Sequence, residues 1–269
     1  MTIRHRSRLL VTTLATVAVL GSDARAQEEA SKLSNAKLIE RAETRSSTRD
    51  YRGALADYNE HIKRNPKDSE ALHERGVVRF MLGDFEGSVS DFDAYLKKHS
   101  RRAPHHWQRG LSLYCAGRYA EGRKQFEDHQ KVNSNDVENA VWHYICVARE
   151  KNLAEAKKKL IPIKGDTRVP MAEIHRLFAG KGTKEDVLAA ADKDATGEAL
   201  RSQRCYAHLY LALYEEAAGN EKVAATHYAK AGKEFFVPHY MGETARVLYE
   251  ARSNPRIGSP LQKKTTTQP

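Results

Sequence analysis

Histidine and lysine side chains are the groups in this sequence that could ligate a metal or hold a phosphate. Twelve histidines are present, but no two have the i, i+4 spacing that places two metal ligands on one helix face. Gly180-Lys181-Gly182-Thr183 is similar to part of a phosphate loop, yet the upstream glycine is absent and glycine follows the lysine. We interpret this segment as a turn. With no nucleophile elbow or cofactor motif either, we predict no catalytic residue, no cofactor and no metal site.

The cysteines Cys115, Cys146 and Cys205 are too widely spaced for a disulfide framework or a zinc motif. Each lies in a segment with a helical pattern, where a free thiol behaves as a small apolar residue. We expect buried free thiols, with a Cys115 to Cys146 disulfide in an oxidising compartment as the alternative.

The first 26 residues have the three zones of a secretory signal. Three arginines precede an apolar stretch over 9–21, and Ala24-Arg25-Ala26 offers a cleavage site. A stretch of thirteen residues is too short to span a membrane. A mitochondrial transit peptide is the alternative. We therefore expect a periplasmic or secreted protein that is cleaved near Ala26 and has no transmembrane segment.

The mature chain is basic. Removal of residues 1–26 takes away four arginines and one aspartate and lowers the net charge from +10 to +7. Such a charge favours acidic polymers, but lysine and arginine alternate with acidic residues along nearly every helical segment. The pattern indicates ordinary solvated helix faces, and we predict no nucleic-acid partner.

Small and aromatic residues recur with a period of 34 residues over 35–68, 69–102 and 103–136. The eighth and twentieth positions are small: Ala42, Gly76 and Gly110, then Ala54, Ser88 and Gly122. The seventeenth and twenty-fourth positions are aromatic: Tyr51, Phe85 and Tyr119, then Tyr58, Phe92 and Phe126. Small residues let two helices approach closely, and aromatic side chains fill the space beside them. The pattern therefore indicates repeated helix hairpins.

Turn and charge patterns agree with the hairpins. Gly83 and Gly117 fall between the two halves of a repeat, where glycine can take the left-handed conformation that ends a helix. The seventh and twenty-third positions pair basic with acidic or amide residues. We predict contacts between these positions, namely Arg41 with Asp57, Arg75 with Asp91, and Arg109 with Gln125.

These small, aromatic and turn positions resemble the tetratricopeptide repeat. The resemblance implies an all-α superhelix of antiparallel hairpins. The same period continues with weaker motifs, and we expect helices over 137–149, 171–178, 186–191, 197–218 and 239–252. The predicted organisation is a signal over 1–26, a linker over 27–34, three regular repeats over 35–136, diverged helical units over 137–204, a further repeat over 205–238, a capping helix over 239–252 and a disordered tail over 253–269.

Three stretches resemble one branch of the family, the NlpI-like periplasmic adaptors. They are Gln108-Arg109-Gly110 with Leu113-Tyr114, Asn135-Asp136 before a tryptophan-containing helix, and 206–210 at the start of the last repeat. The resemblance implies homodimers that bring cell-wall hydrolases to an envelope protease. This sequence lacks the cysteine that carries the lipid in that branch, which argues against membrane tethering.

An apolar stripe on the first helices is not explained by hairpin packing. Its fifth, ninth and twelfth positions share one helix face, which the resemblance places on the concave side. We predict a partner-binding groove formed by His73, Val77, Phe80, Met81, Trp107, Leu111, Tyr114, Val141 and Ile145. The alternative is that the chain's later helices or a second copy fill this groove.

We therefore predict a non-catalytic scaffold or adaptor that binds a protein or peptide. Two alternatives belong to other classes. The chain could be a self-assembling envelope component, which would mainly contact copies of itself, or it could bind a polyanion such as an acidic wall polymer.

Overall fold

A computed structural model describes Arg25 and residues 27–254 of the chain. Within this range the chain is helical with connecting turns and contains no β-strand, so the predicted all-α class is confirmed. No helix in the same range is both long and apolar enough to cross a membrane. The predicted signal segment, except Arg25, and the predicted tail beyond Asn254 lie outside the described residues. The chain divides into two compact units between Leu82 and Gly83.

Among the described residues of the first unit, a short helical segment over 27–31 precedes three longer helices: α1 (Asn35–Ser47), α2 (Tyr51–Arg64) and α3 (Ser69–Met81). Each is capped by a polar residue whose side chain accepts a hydrogen bond from a backbone N–H of the first turn, namely Ser34, Asp50 and Asp68. Ala42 of α1 and Ala54 of α2 are fully buried beside Tyr58. The small residues therefore lie in the core, as the repeat pattern predicts.

The segment before α1 is ordered against the first unit. Residues 27–31 are helical, and Ala30 is fully buried. The guanidinium of Arg64 donates to the carbonyl oxygen of Leu33 at 2.6 Å and to that of Ser31 at 2.8 Å. Part of the segment predicted to be a linker is thus fixed to α2.

The second unit contains ten α-helices in the described range. They are α4 (Phe85–Lys98), α5 (Trp107–Cys115), α6 (Tyr119–Gln130), α7 (Val137–Glu150), α8 (Leu153–Lys158), α9 (Met171–Phe178), α10 (Lys184–Asp192), α11 (Gly197–Ala217), α12 (Glu221–Ala229) and α13 (Tyr240–Ser253). A 3-10 helix, Ser100–His105, precedes α5, and a π-helical turn, Lys230–Glu234, follows α12.

The 34-residue period is visible in the helix starts. The second helices of the first four repeats begin at Tyr51, Phe85, Tyr119 and Leu153. The linking glycines Gly83 and Gly117 have φ angles of 81° and 78°. Each therefore has the left-handed conformation that is expected of a glycine that ends a helix. The predicted helices of the irregular middle are confirmed. The fourth repeat's second helix, α8, is short, and α9 covers the predicted residues 171–178.

Two of the three predicted basic contacts are present. Arg41 makes two hydrogen bonds to the carboxylate of Asp57, at 2.9 and 2.6 Å, and Arg109 donates to the Gln125 side chain at 3.2 Å. Arg109 also donates to Asp93, sixteen residues earlier, at 2.6 Å. Arg109 thus contacts the second helices of its own and of the preceding repeat. Arg75 and Asp91 belong to different units, so the predicted contact between them remains a prediction.

Gly110 provides a direct test of close helix packing. A Cβ atom added there would lie 2.5 Å from the ring of the buried Phe126 on α6. We expect Gly110→Val to lower the free energy of unfolding by about 1–3 kcal/mol, because overpacking forces the helices apart. Thermal unfolding measures the change. Gly165→Ala is the matched control, since its added Cβ would have no contact closer than 3.5 Å. An unchanged melting temperature for Gly110→Val would contradict the packing.

Candidate functional site

The residues of the predicted groove are divided between the two units. His73, Val77, Phe80 and Met81 belong to the first unit, where Phe80 and Met81 are buried. Trp107, Leu111, Tyr114, Val141 and Ile145 belong to the second unit. Of these five, Trp107 is partly exposed and the other four are buried, at 1% exposure or less. A groove continuous over both units remains a prediction.

Tyr114 shows what covers the buried part of this face within the second unit. Its hydroxyl donates to Glu216 of α11 at 2.9 Å. The hydroxyl of Tyr228 on α12 donates to the same carboxylate at 2.6 Å, and Arg252 of α13 donates to it at 2.7 Å. The later helices of the chain therefore occupy the space over Tyr114, so this side chain is not available to a partner in the present conformation.

A cavity of about 470 Å³ remains open at the Trp107 end of the same face. We call it the tryptophan cavity, because Trp107 and Trp142 both line it. The ring of Trp107 meets that of Tyr240 edge to face, with centroids 4.7 Å apart, so α13 forms one side of the cavity. The apolar lining consists of Trp107, Leu111, Phe126, Trp142 and Met241.

An ion network centred on Arg168 forms part of the polar side of the tryptophan cavity, through Asp136, Glu138 and Arg168 itself. The guanidinium donates to Asp166 at 2.6 and 2.9 Å and to Asp136 at 2.7 Å, and it also contacts Glu138. Burial opposes the charged form of Asp166, but hydrogen bonds from Arg168 and from the Val137 N–H outweigh it and lower the pKa. Three carboxylates thus share one guanidinium, and the network is negatively charged when all of them are ionised.

Glu138 is the carboxylate of this network that titrates near neutral pH. Its side chain is only 13% exposed, and burial raises its pKa to about 7, although Arg168 and the hydroxyl of Tyr210 act in the opposite direction. That hydroxyl donates to the carboxylate at 2.5 Å. The hydrogen bond ties α7 to α11 and holds the carboxylate at the cavity wall.

Two buried polar atoms of the cavity walls have no hydrogen-bond partner among the described residues. They are the indole Nε1 of Trp142 and the side-chain Oδ1 of Asn139, which lie one turn apart on α7. The amide nitrogen of Asn139 is paired, because it donates to the Phe126 carbonyl and to Gln130. A buried polar atom without a partner costs free energy, so each of these two atoms would gain from a hydrogen-bond partner.

Metal-ligating side chains do not come together in the described part of the chain. No group of three or more histidine, cysteine, aspartate or glutamate side chains there has metal-binding geometry. The three cysteines are free and buried, and burial raises the pKa of each thiol. A high thiol pKa disfavours the nucleophilic thiolate.

Sequence reasoning identified Trp107 and Leu111 but missed the other walls of the tryptophan cavity. Arg168 lies in an irregular stretch that has no helical period, and Met241 arrives from the last helix. Asp136 did carry a local signal, because an aspartate before an apolar run predicts a helix N-cap, and its side chain accepts from the backbone N–H of Glu138 at 3.0 Å. Its role in the ion network depends on long-range packing.

No protein-family model matches the chain, and no curated protein matches it. Among solved structures, the chain is similar to a tetratricopeptide repeat protein from Parabacteroides merdae. The two share 18% sequence identity with a TM-score of 0.48, over 92% of this chain and 98% of that one. The second helices of the first four hairpins begin 34 residues apart, and small residues lie where the two helices of a hairpin meet. These features agree with the tetratricopeptide-repeat architecture that the sequence predicts.

Proposed function

We propose that this protein is a non-catalytic scaffold that binds another protein at the tryptophan cavity. Stacked helix repeats create extended surfaces of the kind used for protein recognition. The observation that carries the proposal is the partly exposed Trp107, which lines a cavity of about 470 Å³. A half-buried aromatic side chain beside polar groups is a typical binding anchor.

Affinity capture from a cell-envelope fraction tests this proposal. We expect the wild-type protein to retain a protein partner, and Trp107→Ala to retain at least about tenfold less, as for a hot-spot residue. Helix content, measured by circular dichroism, should be unchanged. Val223→Ala is the control, because Val223 is an apolar residue on α12 with 42% exposure that does not line the cavity. Equal capture by wild type and Trp107→Ala would exclude the cavity as the binding site.

The nature of the captured chain distinguishes the proposed classes of scaffold. A different protein supports an adaptor, and an envelope protease or a cell-wall hydrolase would agree with the resemblance to the NlpI-like branch. Capture of only a second copy would support a homodimer or a self-assembling component instead. Light scattering at several protein concentrations measures that self-association.

We also propose that the protein is exported to the periplasm or secreted. Support comes from the basic start, the apolar stretch and the cleavage site within residues 1–26. Mass spectrometry of the protein purified from its native cells should give a chain that begins at Gln27. A chain that begins at Met1 in the cytosolic fraction would contradict export.

A further inference from the structure

The tryptophan cavity combines aromatic walls with an excess of negative charge. Trp107, Trp142 and Phe126 supply the aromatic surface. Asp136, Glu138 and Asp166 surround Arg168, and of these carboxylates Asp136 and Glu138 line the cavity. The four groups together have a net charge of −2 when every carboxylate is ionised and −1 when Glu138 is protonated. Aromatic faces and carboxylates both attract cations. The cavity is therefore suited to a positively charged group, although the chain as a whole is basic.

A hydrogen-bond acceptor at the cavity points to the same kind of ligand. The Oδ1 atom of Asn139 is a buried acceptor without a partner among the described residues. His129 does not add a free acceptor, because its Nδ1 lies 2.9 Å from the carbonyl oxygen of Pro104 and its Nε2 lies 3.5 Å from the side-chain nitrogen of Asn133. A guanidinium supplies several planar N–H donors and stacks well on aromatic rings.

The unpaired donor at the cavity indicates that the positive group belongs to a polypeptide. The indole N–H of Trp142 needs an acceptor, which a guanidinium or an ammonium group cannot provide. A backbone carbonyl next to the inserted side chain can provide it. The volume of about 470 Å³ lies within the range of roughly 300–1,000 Å³ that is usual for ligand pockets.

We propose that the tryptophan cavity binds an arginine side chain presented by a polypeptide segment of the partner. This inference rests on the proposed scaffold function and specifies the chemistry that the site recognises. The guanidinium lies against the tryptophan rings and donates to Asn139 and to the carboxylates around Arg168. A carbonyl of the segment accepts from Trp142.

Tryptophan fluorescence can test the inference on the full chain, because its two tryptophans, Trp107 and Trp142, both line the cavity. The probes are short blocked peptides that differ only in a central arginine, glutamine or glutamate. We expect a saturable change in emission with the arginine peptide, and binding at least about tenfold weaker with the two others. A higher salt concentration should weaken the binding of the arginine peptide.

Two charge variants with opposite expected effects sharpen the test. Asp136→Asn removes a carboxylate but keeps a residue that caps α7 well. This variant should bind the arginine peptide about fivefold more weakly, or weaker still. Arg168→Gln removes the competing guanidinium and should strengthen the binding of the arginine peptide. Thermal unfolding shows whether each variant folds. If Arg168→Gln does not fold, Asp136→Asn alone decides the role of charge.

Several outcomes would overturn the inference. Equal affinity for the three peptides would show that the cavity selects apolar surface, and the absence of any emission change would exclude an arginine site. A change seen only after removal of residues 255–269 would identify the chain's own tail as the occupant. If these peptide results are negative while capture still depends on Trp107, the inference fails and the scaffold function stands. If the arginine peptide binds but capture does not depend on Trp107, the scaffold function fails at this site.

Discussion

Replacing Arg252 by alanine should lower the free energy of unfolding by about 3–5 kcal/mol, because it leaves the nearly buried carboxylate of Glu216 without its main counter-charge. Glu216 is 9% exposed and Arg252 is 16% exposed. Burial opposes ionisation of Glu216, but Arg252 and the hydroxyls of Tyr228 and Tyr114 lower its pKa. The guanidinium of Arg252 also stacks on the Tyr228 ring, 4.1 Å from its centroid. Urea unfolding followed by circular dichroism measures the loss.

A double variant separates the charge from the packing. Adding Glu216→Gln to Arg252→Ala removes the uncompensated carboxylate and should recover part of the lost stability. Arg118→Ala is the surface control, because Arg118 is 32% exposed and pairs with Glu121 in its own helix turn. We expect a change below about 1 kcal/mol for that control. If Arg252→Ala were equally mild, the contact of α13 with α11 would contribute little.

Raising the pH from about 4.5 to about 7 should remove a stabilising contribution from Glu138. Its pKa in the folded protein is about 7, whereas the ordinary value is 4.5. The folded state therefore holds the proton more tightly than the unfolded state. The contribution is full below pH 4.5 and is lost as the pH rises through 7. A pKa shift of this size corresponds to a change of at most about 3 kcal/mol in the free energy of unfolding.

Comparison with Glu138→Gln isolates this contribution, since glutamine keeps an acceptor for Tyr210 and does not titrate. Four histidines act in the opposite sense. Desolvation lowers their pKa, so they destabilise the fold as the pH falls below about 6.5; these are His143, His208, His227 and His239. The wild type minus variant difference in unfolding free energy should decline from pH 4.5 to pH 7. A flat difference would contradict the raised pKa of Glu138.

The repeat architecture was predictable from the sequence because its signals are local and periodic. A small residue recurs at the repeat position of Gly110, and aromatic residues recur at the positions of Tyr119 and Phe126. Such residues determine where two adjacent helices meet. The Arg41 to Asp57 contact follows from the same period, since sixteen residues separate facing positions of a hairpin. The 3-10 helix before α5 was not predicted, because nothing in the repeat pattern requires it.

The candidate site was only partly predictable, because its walls come from distant parts of the sequence. Trp107 belongs to the periodic stripe, but the exposure of this face depends on where α11, α12 and α13 pack. Glu216 and Arg252 show no pattern that pairs them with Tyr114. A long-range arrangement of this kind depends on the sum of many packing contacts, which local periodicity does not specify.

The place of α13 in the chain has a consequence for protein synthesis. Met241 lines the tryptophan cavity, and Tyr240 packs against Trp107, so the cavity is incomplete until residues 240–253 have left the ribosome. Earlier hairpins can form during translation, because their contacts are local. An unfinished chain therefore lacks a complete cavity, and only molecules synthesised past Arg252 can present the site to a partner.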